Sequence, residues 1–370
     1  MINKQLLHTP EGVRDIYGLE YKRKLAIQKL IRKSIASFGY EAIQTPTFEY
    51  FDVFSKEVGT TPSKDLYKLI DKDGQTLVLR PDFTPSIARC AAKYFMDETK
   101  PIRFSYEGNT FVNVSHLQGK LKETTQMGAE LILDDSVEAD AELLAMVVSA
   151  LKATGLEKFQ ISVGHMDYFK GLCEEAGLSA EAENNLREAI SIKNMFAAKD
   201  ILDELDIKED AKRALLEVAE LFGSLQDLSY AKSLTKNSRS VAAIERLEQL
   251  KKCLECYGIA QYVSFDLGML SQYYYYTGIV FKAFTYGIGD AIVKGGRYDH
   301  LLEFFGKKAP AVGFMVIVDD ILEALDHQKI SVNLEESAVT ITYTTETFLQ
   351  AVKEAESLRR AGKSVVLTKE

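Results

Sequence analysis

Apolar residues recur every three or four positions at Ile27, Leu30, Ile31, Ile35 and Phe38 and stop at Gly39, which predicts an amphipathic helix packed on a larger body. A short extended stretch through Ile43 follows. Pro46 cannot donate to a sheet ladder, so this stretch ends there or runs along an edge or an interface. The period then changes to two. Alternating runs at Thr76 to Arg80, Ile102 to Tyr106 and Gln126 to Leu133, separated by turn residues, read as neighbouring strands of an antiparallel sheet. Helical spacing at Leu143, Met146, Val147, Ala150 and Leu151, then a strand at Phe159 to Val163, mix the elements without a strict βαβ rhythm, so the fold class is α+β.

From about Lys170 to Tyr257 the chain is rich in Ala, Leu, Glu and Lys, lacks proline and keeps apolar residues at helical spacing, which predicts an inserted helical lobe. Strand signals return at Ile279 to Phe284 and Asp290 to Lys294, followed by two helical patterns, Tyr298 to Phe305 and Gly313 to Leu325. After Asp326 a polar linker through Asn333 and Glu336 leads to a strand at Val339 to Tyr343, a helix carrying Phe348, Val352 and Ala355, and a strand at Ser364 to Leu367. The expected organisation is a domain over residues 1–326, with a helical insertion at about 170–258, and a short α/β segment over 327–370. That segment is too small to bury much core by itself, so it docks on the main body or is the stump of a larger domain.

Composition narrows the classes. With 46% hydrophobic residues among 370, the chain can bury a large core over more than one lobe. A net charge of -9 gives a field that repels phosphate backbones and weighs against broad nucleic-acid binding. The four cysteines are few and scattered, as in a reducing compartment, and the chain shows neither a signal-peptide pattern nor an apolar run of bilayer length; a soluble, cytoplasmic protein is expected. Cys253 and Cys256 have CxxC spacing but sit in the helical pattern Leu247, Leu250, Leu254, Tyr257 without a second pair or nearby histidines, so no metal site is expected.

Four segments carry candidate chemistry. In the strand Gln126 to Glu130, Gln126, Gly128 and Glu130 share one face. Gly128 leaves either a gap for a small ligand between an amide and a carboxylate, or a bulge with Glu130 facing water, and periodicity favours the second. Asp82, in Leu79 to Pro85, precedes a helix through Ile87 and Arg89 and suits an N-terminal carboxylate. The run Tyr273 to Tyr276, read as strand, places rings on both faces and walls a pocket or packs a subunit interface with equal weight. Gly295 and Gly296, read as preceding a helix, suit a phosphate cradle or, more readily, a tight turn.

Taken in order, these segments resemble histidyl-tRNA synthetase, a class II synthetase, up to about Leu325. The marker Glu11 to Ile16, a motif 1 echo at Gly39 to Glu49 around Pro46, the Leu79 to Thr84 and Phe111 to Glu130 segments, the Tyr275 to Gly278 run and the stretch from Gly295 through Pro310, Val312, Gly313 and Phe314 carry the likeness. The resemblance implies a class II synthetase-like antiparallel sheet flanked by helices. It also implies contacts to the α-ammonium of histidine from Asp82, Thr84 and Gln126, and contacts around the imidazole from Glu130, Tyr275, Tyr276 and Tyr298.

The likeness breaks where ATP is handled. Aligned on Phe111, Val112 stands where the family's phosphate-binding arginine belongs and Val114 where its accompanying glutamate belongs. Ser271 replaces the catalytic arginine, Tyr274 the usual aspartate, and Asp320 the motif 3 arginine. Each lost donor costs on the order of a few kcal/mol in the transition state, so adenylate formation is not expected and no catalytic residue is assigned. The tail matches only the start of the anticodon-binding domain, so tRNA is not expected as a partner.

A synthetase scaffold stripped of these arginines, with an amino-acid pocket kept, resembles the family of ATP phosphoribosyltransferase regulatory subunits. That resemblance implies a homodimer through the motif 1 region that assembles with the short-form catalytic subunit and passes on feedback inhibition by histidine, with no cofactor of its own. The alternatives are a shortened or divergent histidyl-tRNA synthetase using Arg80, Arg103 or Lys120 on phosphate, and a pseudo-synthetase that senses histidine for another target.

Overall fold

The computed structural model describes residues 7–54, 61–114, 121–223, 225–271, 275–334 and 338–370. Two compact units emerge, Met1–Ser331 and Val332–Glu370.

In the first unit α1 (Gly18–Ala36) buries Ile27, Ile31 and Ile35 along one stripe, and Gly39 follows at φ +81°, where only glycine is unstrained. Next come β1 (Glu41–Ala42), β2 (Phe48–Tyr50), β3 (Lys68–Ile70), β4 (Thr76–Leu79) and α2 (Thr84–Tyr94), then the long pair β5 (Ile102–Phe111) and β6 (Glu123–Ile132). Helix α3 (Val137–Ala153) starts where Ser136 Oγ accepts the Ala139 N–H at 3.1 Å, with Glu138 and Asp140 in its first turn, both favourable at a helix N-terminus. Strand β7 (Phe159–His165) leads into a run of helices: α4 (Met166–Ala176), α5 (Ala180–Ser191), α6 (Met195–Asp203) and α7 (Glu209–Glu217). After β8 (Phe222–Gly223) follow α8 (Leu225–Ser233) and α9 (Ser238–Cys256). The chain returns through β9 (Val263–Asp266), β10 (Ile279–Thr285), β11 (Val293–Arg297), β12 (Ala311–Ile317) and α10 (Val318–His327). The second unit is a single crossover of β13 (Val339–Tyr343), α11 (Phe348–Arg360) and β14 (Val365–Lys369), with the two strands parallel.

Nine strands form one sheet in the order β1-β5-β6-β12-β11-β10-β7-β9-β8. The six central strands are antiparallel, as expected, but the joins β1 to β5 and β7 to β9 are parallel, so the sheet is mixed. The strand at Thr76–Leu79 does not neighbour β5 and β6. It pairs with β2 and β3 in a separate three-stranded sheet, because the turn at Asp71 to Gly74 returns the chain to β3, and pairing follows turn geometry rather than order of appearance.

Other expectations also change. The helical pattern at Gly313 to Leu325 is the buried strand β12 followed by α10, and Tyr298 to Phe305 holds only a short 3-10 turn, Leu301–Phe305. A central strand covered on both faces loses its alternation, and its apolar run then mimics a helix. The region read as wholly helical contributes Phe222–Gly223 to the far edge of the large sheet. The tyrosine run precedes β10 rather than lying in it, and Tyr273 and Tyr274 lie outside the described residues.

A buried network ties helices to sheet. The Asp140 carboxylate, fully buried on α3, takes Arg297 Nη2 of β11 at 2.6 Å on one oxygen and Arg246 Nη2 of α9 at 2.6 Å on the other. Arg297 also donates from Nη1 to Asp134 O at 2.9 Å and to Asp299 at 3.2 Å.

Candidate functional site

Strand alternation places Gln126, Gly128 and Glu130 of β6 on the same face as Ile317, Met315 and Gly313 of β12, their direct partners in the ladder. Over this face lies a cavity of about 1050 Å3. Six of the seven residues expected to hold an amino acid line it: Asp82 and Thr84 from the start of α2, Gln126 from β6, Tyr275 and Tyr276 from the segment before β10, and Tyr298 from the end of β11. Tyr275 packs against Tyr276 with centroids 4.7 Å apart and meets Tyr298 edge-on at 6.0 Å, so the rings form one wall.

Glu130 is the seventh, and it sits beneath the wall. Its carboxylate accepts Thr84 Oγ1 at 2.9 Å and Tyr298 Oη at 2.5 Å, which fixes both hydroxyl-bearing residues. Room for it comes from Gly313, where a Cβ would stand 1.5 Å from Glu130 Oε2. Burial pushes the Glu130 carboxyl up to about 8 against the pull of its two hydroxyl partners, and burial raises Asp82 to about 7 although the Thr84 backbone N–H opposes this. Both carboxyls are thus poised to ionise when a cation enters. Gln126 is buried, and its Oε1 has no hydrogen-bond partner among the described residues, which leaves an acceptor open toward the cavity.

Neither reading of Gly128 survives. The register through residues 123–132 runs without a bulge, and Glu130 is buried rather than solvated. The space over Gly128 is taken by Tyr106, its cross-strand partner, whose Oη donates to Phe314 O at 3.3 Å and whose ring stacks on Phe83 at 4.5 Å. Sequence reasoning missed Tyr106; an aromatic opposite a glycine becomes visible once the register of β5 and β6 is known. Gly295 and Gly296 make neither phosphate cradle nor turn. They lie inside β11, where a Cβ would meet the Phe281 ring at 2.4 Å and the Tyr276 ring at 2.7 Å, so bare backbone lets these rings pack flat on the sheet. Asp82 serves as the expected N-terminal carboxylate: it accepts the backbone N–H of Thr84, the first residue of α2, although Phe83 occupies the N-cap position.

The other half of the cavity is where the sequence departs from the synthetase pattern. Val112, Val114 and Asp320 all line it, the last from the first turn of α10. The cavity as a whole is lined by eight carboxylates (Glu20, Asp65, Asp82, Asp290, Asp319, Asp320, Glu323 and Asp326) against Arg14, Arg23, Lys294 and His327, with Lys24 on Asp319 at 2.7 Å. Arg14 is paired with Glu20, Arg23 with Asp326, and Lys294 with Asp290 at 3.3 Å. Desolvation, then Asp290, raises Asp320 to about 6. A polyphosphate here meets hydrocarbon and negative charge. The replacement phosphate ligands considered from sequence point elsewhere: Arg80 donates to Asn109 O and Thr45 O, each at 2.9 Å, and Arg103 pairs with Glu142 at 3.2 Å. Lys120 lies outside the described residues. Ser271 opens onto a smaller recess of about 210 Å3 beside Tyr276.

Mixed sheet and helical run together define a class II synthetase-like protein, and the histidyl-tRNA synthetase family matches residues 12–321. A histidyl-tRNA synthetase from Nostoc shares the fold at a TM-score of 0.82 over 98% of this chain and 86% of its own, with 21% identity. Nearer relatives are named ATP phosphoribosyltransferase regulatory subunit. The one from Acetivibrio thermocellus is 41% identical over 97% of this chain and 86% of its own length, and the one from Ruminiclostridium cellulolyticum 39% identical over 98% and 87%. A Bacillus halodurans structure titled ATP phosphoribosyltransferase regulatory subunit/histidyl-tRNA synthetase superposes at a TM-score of 0.90 with 33% identity, covering 98% of this chain and 93% of that one. The chain belongs to the family of ATP phosphoribosyltransferase regulatory subunits.

Proposed function

We propose that this chain is a non-catalytic regulatory subunit that binds histidine and assembles with a short-form ATP phosphoribosyltransferase catalytic subunit, conferring activity and histidine feedback on it in the first step of histidine biosynthesis. One observation supports the reading: a single cavity gathers the residues that the resemblance assigns to an amino acid together with Val112, Val114 and Asp320, which stand where it expects phosphate-handling groups, and carboxylates pair with Arg14, Arg23 and Lys294. Adenylate formation needs cationic donors on the α-phosphate, each worth roughly 3–4 kcal/mol in comparable sites, and three such donors are replaced.

In the ligand's place, the ammonium group meets Asp82, Thr84 and Gln126, and the imidazole stands against Tyr275, Tyr276 and Tyr298, with Glu130 as the carboxylate behind them. A second copy fits the outer three-stranded sheet, where β2 exposes Phe48 and Tyr50 and β3 exposes Leu69 and Ile70. Among the described residues no helix is long and apolar enough to cross a membrane, and an acidic chain that works beside a biosynthetic enzyme suits the cytoplasm. The same charge argues against tRNA as a partner.

The test is co-expression with a short catalytic subunit, followed by transferase assays with and without histidine; dependence on this chain and histidine inhibition of the complex are expected. Pyrophosphate exchange by the purified chain with histidine and ATP would overturn the reading in favour of a divergent synthetase. Histidine binding without any effect on the transferase would point to a sensor for another target.

A further inference from the structure

The register of the large sheet sets one row of side chains across its cavity face: Tyr106, Gly128, Met315, Lys294, Lys282 and Ser162, each directly opposite the next. Two lysines are thereby held side by side on adjacent strands, an arrangement that costs stability when nothing lies between them. Lys294 has Asp290 at 3.3 Å, whereas no hydrogen bond or ion pair engages Lys282 among the described residues. Asp266 and Asp290 are the carboxylates near enough to act on Lys282. Burial, then the neighbouring Lys294, lowers its pKa, so the ammonium is held in a partly desolvated place that an anion would relieve.

Both lysines line the recess of about 210 Å3 that also receives Ser271. Lys294, Gly295 and Tyr276 line this recess and the amino-acid cavity alike, so the two spaces share a wall. We propose that Lys282 and Lys294 form an anion subsite for the carboxylate of the α-amino acid whose ammonium group meets Asp82 and Gln126. The inference rests on the amino-acid reading of the cavity. It assigns to two strand lysines the cationic contact that Ser271 does not provide, with Asp290 as the carboxylate the incoming anion displaces from Lys294.

Calorimetric titration of the full chain with histidine and with histidinol, which keeps the ring and the ammonium group but carries an alcohol in place of the carboxylate, tests it. The wild-type chain should prefer histidine at least tenfold. K282Q and K294Q should each reduce that preference, and the double variant should bring histidine to the histidinol level while leaving histidinol unchanged. Without ligand, K282Q should melt no lower than wild type, since it removes a like-charge contact. A preference that survives in the double variant, or an equal loss for both ligands, overturns the subsite while leaving the cavity reading intact. Binding of neither ligand by the wild type overturns both.

Discussion

Replacing Asp82 by Asn separates what this carboxyl does for the fold from what it does for a ligand. In the unfolded chain the group is ionised above about pH 4. In the folded chain burial holds its proton up to about 7. Between those values the native state binds more protons than the unfolded one, so the contribution of Asp82 to stability falls as pH rises through this window. A move from 3.8 to about 7 sets a ceiling of roughly 4 kcal/mol. Asp82 keeps part of its surface exposed on the cavity, and screening there brings the expected size to about 1–3 kcal/mol. Asparagine keeps an oxygen for the Thr84 N–H and never ionises. Urea denaturation of both proteins at pH 5 and pH 8 should therefore show a gap between the curves that widens at the higher pH, with Asp82→Asn the more stable. Ligand binding should run the other way. The ammonium group prefers the carboxylate, which is about 10% formed at pH 6 and about 90% at pH 8, so wild-type affinity should rise close to tenfold beyond any change shown by Asp82→Asn. Parallel stability curves, or affinities with the same pH slope in both proteins, would refute the argument.

Two further substitutions probe the scaffold. Gly313→Ala places a methyl group on Glu130 Oε2 and should cost about 1–3 kcal/mol by overpacking, with a larger loss of histidine affinity as Thr84 and Tyr298 lose their shared acceptor; denaturation and titration on the same sample measure both. Asp140→Asn removes the charge that neutralises Arg297 and Arg246 in a buried position and should cost about 3–5 kcal/mol, read as a lowered urea midpoint without a change in slope; a loss under about 1 kcal/mol would show that solvent reaches the pair.

The sequence by itself determined a good deal. Stripes such as Ile27, Ile31 and Ile35 on α1 show their burial directly, because a helix's partners on one face are set by local spacing. Asp82, Thr84, Gln126, Tyr275, Tyr276 and Tyr298 could be named together in advance only through the resemblance, and the structure gathers them on one cavity with Val112, Val114 and Asp320, while Ser271 opens on the neighbouring recess. Tertiary structure alone decided the rest. Which strand pairs with which is a long-range choice, and a buried strand such as β12 loses the alternation that marks it. Only the register put Tyr106 over Gly128, set Gly313 against Glu130, and aligned Lys282 with Lys294 from separate segments. The raised carboxyls have the same cause. Asp82 and Glu130 are ordinary acids in the chain and become poised only when packing removes the water around them.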